Sequence, residues 1–386
     1  MVQVLDATLR EGEQTPGVYF DSHIKLAIAD LLDEIGINII EAGHPLVSKD
    51  IHFAVKAICE QNLNALVGAH SRSLEEDVDR ALEAGVDFLG IFYCVSDDRL
   101  AHVYQRELKS AIDQIVRVIV YAKQRNPKLV LRYTPEDAVR SAFQNVVDAS
   151  VAAVTAGADI ISIADTTGYL IPGTERSMYN YVARLKSELA DRDAFPKFAV
   201  HCHNDRGFAL ANALDGYRAG AEIIDATVLG IGERAGIVDL AQLLVALSED
   251  FHIPNSWNLH KLPELYELVS LHANIPIPVH FPITGINAFT HCAGVHTHAA
   301  TKNPAHYQSL APQVVGRKMD VSLDHMSGIS SVTWALDKIE MIYDRELALK
   351  VLKQVKAIGQ KGRTVKMGEL PYLVEWCKNN NCKGQE

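Results

Sequence analysis

The feature that most restricts this chain is an alternation. Short β-branched runs and amphipathic helical stretches follow one another eight times before residue 276. The runs are Val2–Leu5, Ile37–Glu41, Ala65–Val67, Phe88–Phe92, Leu129–Tyr133, Ile160–Ala164, Phe198–His203 and Ile223–Val228. Helical patterns lie between them, including Ser22–Ile35, Leu74–Ala84, Leu108–Arg125, Ala142–Ala156, Met178–Leu189 and Phe208–Ala219. Three junctions carry Ala-Gly-Ala or Ala-Gly-Val, centred on Gly85, Gly157 and Gly220. A glycine there ends a helix and turns the chain back toward a sheet. Eight strand–helix repeats over about 250 residues is the count of a (β/α)8 TIM barrel. An open doubly wound sheet is the architectural alternative.

Polar residues close almost every predicted strand, and this favours the barrel. In order they are Asp6, Arg10 and Glu11; Glu41; His70; Ser96 and Asp97; Arg132, Thr134 and Glu136; Asp165 and Thr166; His201 and His203; Thr227 and Glu233. A closed ring of strands would gather them at one mouth, where barrel enzymes keep their chemistry. The rhythm breaks at Pro276, Pro278 and Pro282. Helical patterns Val332–Ile342, Arg345–Ile358 and Pro371–Lys378 follow, and Asn379–Glu386 reads as a frayed end. The expected organisation is a catalytic barrel over 1–275 and a mainly helical C-terminal region over 276–386.

The 386 residues are 48% apolar and 22% charged, with a formal net charge of −11. That balance argues against a nucleic-acid partner, which selects for a basic face. It leaves small anionic substrates open, because a site can be locally positive. No apolar run is long enough to span a bilayer, and no leader-peptide pattern opens the chain. Six widely spaced cysteines form neither a zinc knuckle nor a disulfide framework. A reduced, cytoplasmic setting is expected.

His201-Cys-His203 carries the strongest chemical signal. Residues two apart on a strand share a face, so both imidazoles can reach one cation. Two core-facing histidines are the bland alternative. Glu11, after the first strand, is the expected third ligand. Two imidazoles and a carboxylate leave positions open for the keto and carboxylate oxygens of a 2-oxo acid. Arg10 beside it has a fork suited to a developing enolate or alkoxide. Arg132 and Thr134 share a face and could grip a carboxylate, with Glu136 relaying a proton. A rim salt bridge is the competing use of these residues. Gly230-Ile-Gly232-Glu233-Arg234-Ala-Gly236 could offer backbone N–H groups to an anion, or be a tight loop only.

Six motifs run from residue 5 to about 328: L-D-A-T-L-R-E-G-E-Q, R-Y-T-P-E-D, A-D-T-T-G, H-C-H-N-D, G-I-G-E-R-A-G and F-T-H-C-A-G-V-H. As a set they resemble the Claisen-condensing branch of the DRE-TIM metalloenzymes, the homocitrate and 2-isopropylmalate synthases. The resemblance implies an acyltransferase that joins acetyl-CoA to a 2-oxo acid with a divalent metal, Mg²⁺, Mn²⁺ or Zn²⁺. It implies metal ligation by Glu11, His201 and His203, and polarisation of the keto group by Arg10. Arg132, Thr134 and Thr166 would bind the oxo-acid carboxylate, with Gln14 in support. The loop holding Gly230, Gly232, Glu233, Arg234 and Gly236 would bind acetyl-CoA. His296, with Glu136, would take the acetyl methyl proton, and Tyr307 would lie near the same site. The family also implies a homodimer whose C-terminal region covers a barrel.

Glu11, the G-E-R-A-G-I loop and His70 resemble homocitrate synthases, which use 2-oxoglutarate. Ala199, Gly90 and the Asp324–Gly328 segment depart from that pattern and leave room for a bulkier oxo acid. Isopropylmalate, citramalate and benzylmalate-type synthases therefore stay open. So do a barrel lyase resembling hydroxymethylglutaryl-CoA lyase and a non-catalytic binding barrel.

Overall fold

The protein, described here from a computed structural model, is defined over residues 2–379. Cys382 and the expected frayed end beyond Asn379 lie outside the described residues. Eight parallel strands close into a barrel in sequence order. They are β1 Gln3–Asp6, β2 Ile39–Glu41, β3 Leu66–Arg72, β4 Phe88–Cys94, β5 Val130–Glu136, β6 Ile160–Asp165, β7 Lys197–Cys202 and β8 Ile223–Ala226. Closure is made by β1 on β8, with Leu5 opposite Asp225 and Asp6 opposite Ala226. The open-sheet alternative is thereby excluded.

Helices follow the strands, and local chemistry sets their ends. Asp21 starts Ser22–Ile35 by accepting the Ile24 N–H at 3.0 Å, and Ser48 starts Lys49–Cys59 through the Ile51 N–H at 3.1 Å. Gly85 and Gly157 end their helices with φ of +88° and +115°, a conformation that favours glycine. At the third junction the helix Ala209–Arg218 is capped by Ala219, and the left-handed residue is Gly220, one position later. The same sequence signal thus works with a shifted cap.

Inside the barrel, Leu5, Ile39, Phe88, Ile160, Ala199 and Ile223 form an apolar layer. Polar and charged residues occupy the strand ends above it. The chain divides into two compact units, Met1–Ile277 and Pro278–Glu386. The second has its own core, in which Val332, Leu336, Val351, Val355, Leu370 and Val374 are fully buried. It contains the helices Gly294–Lys302, Ile329–Lys338, Arg345–Gly359 and Leu370–Asn379.

Candidate active site

The turn after β1 places the first site residues. Arg10, Glu11 and Gly12 all direct their backbone N–H groups at the Ala7 carbonyl. Asp6 accepts from the Thr8 N–H and hydroxyl, and the Thr8 oxygen accepts the Val228 N–H at 2.9 Å. The turn is therefore stitched to the loop after β8. Burial raises the Asp6 carboxyl to about 7, against the bonds from Thr8.

Glu11, His201 and His203 come together. One ligand atom from each lies within 4.8 Å of the others, and all three residues are buried. The two histidine Nε2 atoms are 3.3 Å apart. Burial opposes charge on Glu11, but Arg10 and the two histidines overcome it and hold the carboxyl at about 2. Burial, then the neighbouring His201, lowers His203 to about 4, so its imidazole is neutral at pH 7. An ionised carboxylate with neutral imidazole is the donor set a divalent cation needs.

A buried charge chain runs outward from these ligands. Arg10 pairs with Glu11 through Nη1, and its Nε donates to Glu41 at 2.6 Å. Glu41 also accepts from Arg132 Nη2 at 3.1 Å. The other Arg132 nitrogen donates to both oxygens of Asp225, at 2.9 and 3.0 Å. Asp225 in turn meets His201 Nδ1 at 3.0 Å. Glu41 and Asp225 are wholly buried, which is tolerable only because each is paired and hydrogen-bonded.

A cavity of about 490 Å³ opens over this chain. Arg10, Glu11, Gln14, His70, Arg132, Thr134, Glu136, Thr166, His201, His203, Glu233 and Arg234 all line it. The Gln14 amide lies beside the Glu11 carboxylate and donates to it at 3.0 Å when its nitrogen is turned inward. His70 stacks on Phe92 at 4.7 Å and lies 3.3 Å from Glu41. Burial and then Arg10 lower His70 to about 4, leaving it neutral. Thr166 accepts the Asp137 N–H at 2.9 Å. Arg132 Nε and the hydroxyls of Thr134 and Ser162 are buried with no partner among the described residues. A ligand carboxylate in the cavity would satisfy such donors.

Other expected residues have different surroundings. Both terminal nitrogens of Arg132 are engaged by Asp225 and Glu41, so its free donor is Nε and not a bidentate fork. Glu136 is bound by Arg99, with Nη1 donating at 2.6 Å. The glycine loop packs on Glu11: Glu233 N–H donates to its carboxylate at 3.0 Å, and a Cβ on Gly232 would lie 3.0 Å from it. Arg234 is tied to Asp205 at 2.7 Å and to the Thr166 carbonyl at 2.6 Å. Gly230 and Gly236 shape this loop and are not among the cavity-lining residues. In the second unit, the exposed His296 ring lies 4.4 Å from the Tyr307 ring.

The sequence reading missed Asp225 and Arg99. Asp225 had a signal: on a strand it shares its face with Ile223, which points into the barrel. A carboxylate on that face must find a buried cation. Arg99 ends the helical turn Asp97–Arg99 after β4, too short for its periodicity to give an orientation.

Comparison with known proteins identifies the family. Residues 1–269 match the HMGL-like family, and residues 283–363 match the homocitrate synthase post-HMGL domain-like family. The homocitrate synthase of Pyrococcus horikoshii is 42% identical over 92% of this chain and 94% of its own length. Homocitrate synthase AksA of Methanocaldococcus jannaschii is 37% identical over 97% of this chain and 90% of its own. Among solved structures, the HMG-CoA lyase of Bacillus subtilis superposes with a TM-score of 0.62 at 21% identity, covering 72% of this chain and 95% of the lyase. That last likeness speaks for the barrel alone. With both portions of the chain matched and the relatives aligned nearly end to end, the chain belongs to the homocitrate synthase family of HMGL-like barrels.

Proposed function

We propose that this chain condenses acetyl-CoA with 2-oxoglutarate to give homocitrate, using a divalent metal held by Glu11, His201 and His203. The converging donor set of those three side chains carries the reading. When bound, the metal supplies a Lewis acid that polarises the keto group and chelates the 2-oxo acid. Charge supports this assignment. Three buried carboxylates, Glu11, Glu41 and Asp225, face two guanidiniums, Arg10 and Arg132, leaving one net negative charge. A divalent cation turns this to one net positive charge, which a substrate carboxylate neutralises.

Within that frame Arg10 stabilises developing negative charge on the keto oxygen. Arg132 Nε and the Thr134 hydroxyl bind the carboxylate, with Thr166 and Gln14 in support, and His70 meets the substrate side chain. Glu136 and His296 move the proton from the acetyl methyl group, with Tyr307 beside His296. The loop from Gly230 to Gly236 serves acetyl-CoA through Glu233 and Arg234. Hydrolysis of the thioester then releases coenzyme A and a 2-hydroxy acid. The unit Pro278–Glu386 acts as a lid and source of the base in a cytoplasmic homodimer. No helix among the described residues is long and apolar enough to cross a membrane.

A bulkier oxo acid is a second reading, and Gly90 favours it. A Cβ there would lie 3.3 Å from His70 Nδ1 and 3.4 Å from Arg132 Nε, so glycine keeps that space open. Thiol release from acetyl-CoA over 2-oxoglutarate, 2-oxoisovalerate, pyruvate, oxaloacetate and phenylpyruvate separates the two. The highest kcat/KM should fall to 2-oxoglutarate. A tenfold preference for another acid would reassign the substrate. Cleavage of a hydroxyacyl-CoA without thiol release would return the lyase reading.

A further inference from the structure

We propose that Asp225 is a positioning residue that couples the metal ligand His201 to the substrate-binding Arg132. The inference rests on the metal reading above and goes beyond it to a cavity-lining residue whose carboxylate is engaged by His201 and Arg132. Asp225 has no exposure to solvent, and its carboxylate serves two partners. It meets His201 Nδ1 at 3.0 Å and holds Arg132 Nη1 with both oxygens.

A carboxylate accepts and does not donate, so the proton of His201 belongs on Nδ1. Its Nε2 is then a bare lone pair. That nitrogen lies 3.3 Å from His203 Nε2, among the atoms that one cation would join. The His203 Nδ1 atom is buried with no partner among the described residues. Of the two imidazoles, His201 is the one whose tautomer a carboxylate sets. Carboxylate partners of metal-bound histidines typically contribute on the order of 10–100-fold in affinity.

The second partner gives the coupling. Glu11, Arg10, Glu41, Arg132, Asp225 and His201 form a chain of paired groups, each bonded to the next. Its two ends, Glu11 and His201, are the ones a cation would join. Binding there closes the chain into a ring and fixes both arginines. Asp225 is the member through which the His201 end reaches Arg132.

The test is calorimetric titration of metal-free protein with Mn²⁺ alone, comparing wild type, Asp225→Asn and Arg132→Met. Asp225→Asn should weaken Mn²⁺ on the order of 10–100-fold. Arg132→Met keeps Asp225 beside His201, so it should disturb Mn²⁺ affinity measurably but by a smaller factor than Asp225→Asn, while raising the KM for the oxo acid. An unaltered Mn²⁺ affinity in either variant would overturn the proposal, as would a loss in Arg132→Met equal to that in Asp225→Asn. Should Asp225→Asn fail to fold, the wild type still decides. A downfield imidazole N–H resonance that disappears in His201→Gln is expected, and its absence counts against the assignment. A wild type that binds no Mn²⁺ would instead overturn the metal reading itself, and this inference with it.

Discussion

Glu136 meets Arg99 at 2.6 Å, and this pair sets how the carboxylate acts. A guanidinium at hydrogen-bond distance fixes which oxygen points at the cavity. Removing it leaves the Glu136 carboxylate free to turn. Arg99→Met should lower kcat about tenfold with KM little changed. A KM-only defect in steady-state kinetics would show that Arg99 binds substrate instead. Glu136→Gln should cost more, on the order of 100-fold in kcat, if the carboxylate handles a proton. Side chains at strand ends were legible one by one because alternation fixes their face. Pairings such as Arg99 with Glu136 join a helical turn to the end of a strand 37 residues later, which no local pattern records.

At the scale of elements, the loop after β8 and the helix behind it carry the clearest consequences. A Cβ on Gly236 would lie 1.8 Å from the Gly230 carbonyl oxygen, and Gly236 has φ of +76°. Gly236→Ala must move the loop that supports Glu11. We expect a loss of about 2–4 kcal/mol in denaturant unfolding, together with weaker metal binding. Asp239 caps the helix Leu240–Val245 and accepts from Gln242 N–H at 2.9 Å and Tyr266 hydroxyl at 2.8 Å. Burial outweighs these bonds and raises its carboxyl to about 6. The unfolded chain releases this proton near pH 4 and the folded chain near pH 6. The associated stability is thus complete below about pH 4, falls as pH rises to about 6, and stays lost above. The shift corresponds to about 3 kcal/mol at most. Asp239→Asn should lack this slope. Equal pH dependence in both proteins from pH 4 to 7 would contradict it. Element types were legible because their periodicity is strong. Asp239's burial was not, since it arises from packing against Tyr266, 27 residues later.

Over the whole molecule, the sequence motifs and the closed barrel agree because strand order equals chain order, so each strand end lands beside its neighbour's. The second unit was legible as a break in rhythm at three prolines followed by helical patterns, but its packing was not. Residues 1–277 alone should bind a divalent metal, because all three ligands belong to that unit, yet show no turnover. Full activity of that fragment would remove His296 and Tyr307 from the mechanism. The central claim is that catalysis runs through a cation held by Glu11, His201 and His203. Its most direct test is acetyl-CoA thiol release with 2-oxoglutarate by chelator-stripped protein titrated with Mg²⁺, Mn²⁺ or Zn²⁺, alongside His203→Ala. The account predicts no turnover after stripping, recovery with at least one metal, and none in the variant at any metal concentration. Undiminished turnover by stripped protein, or by His203→Ala, would contradict it.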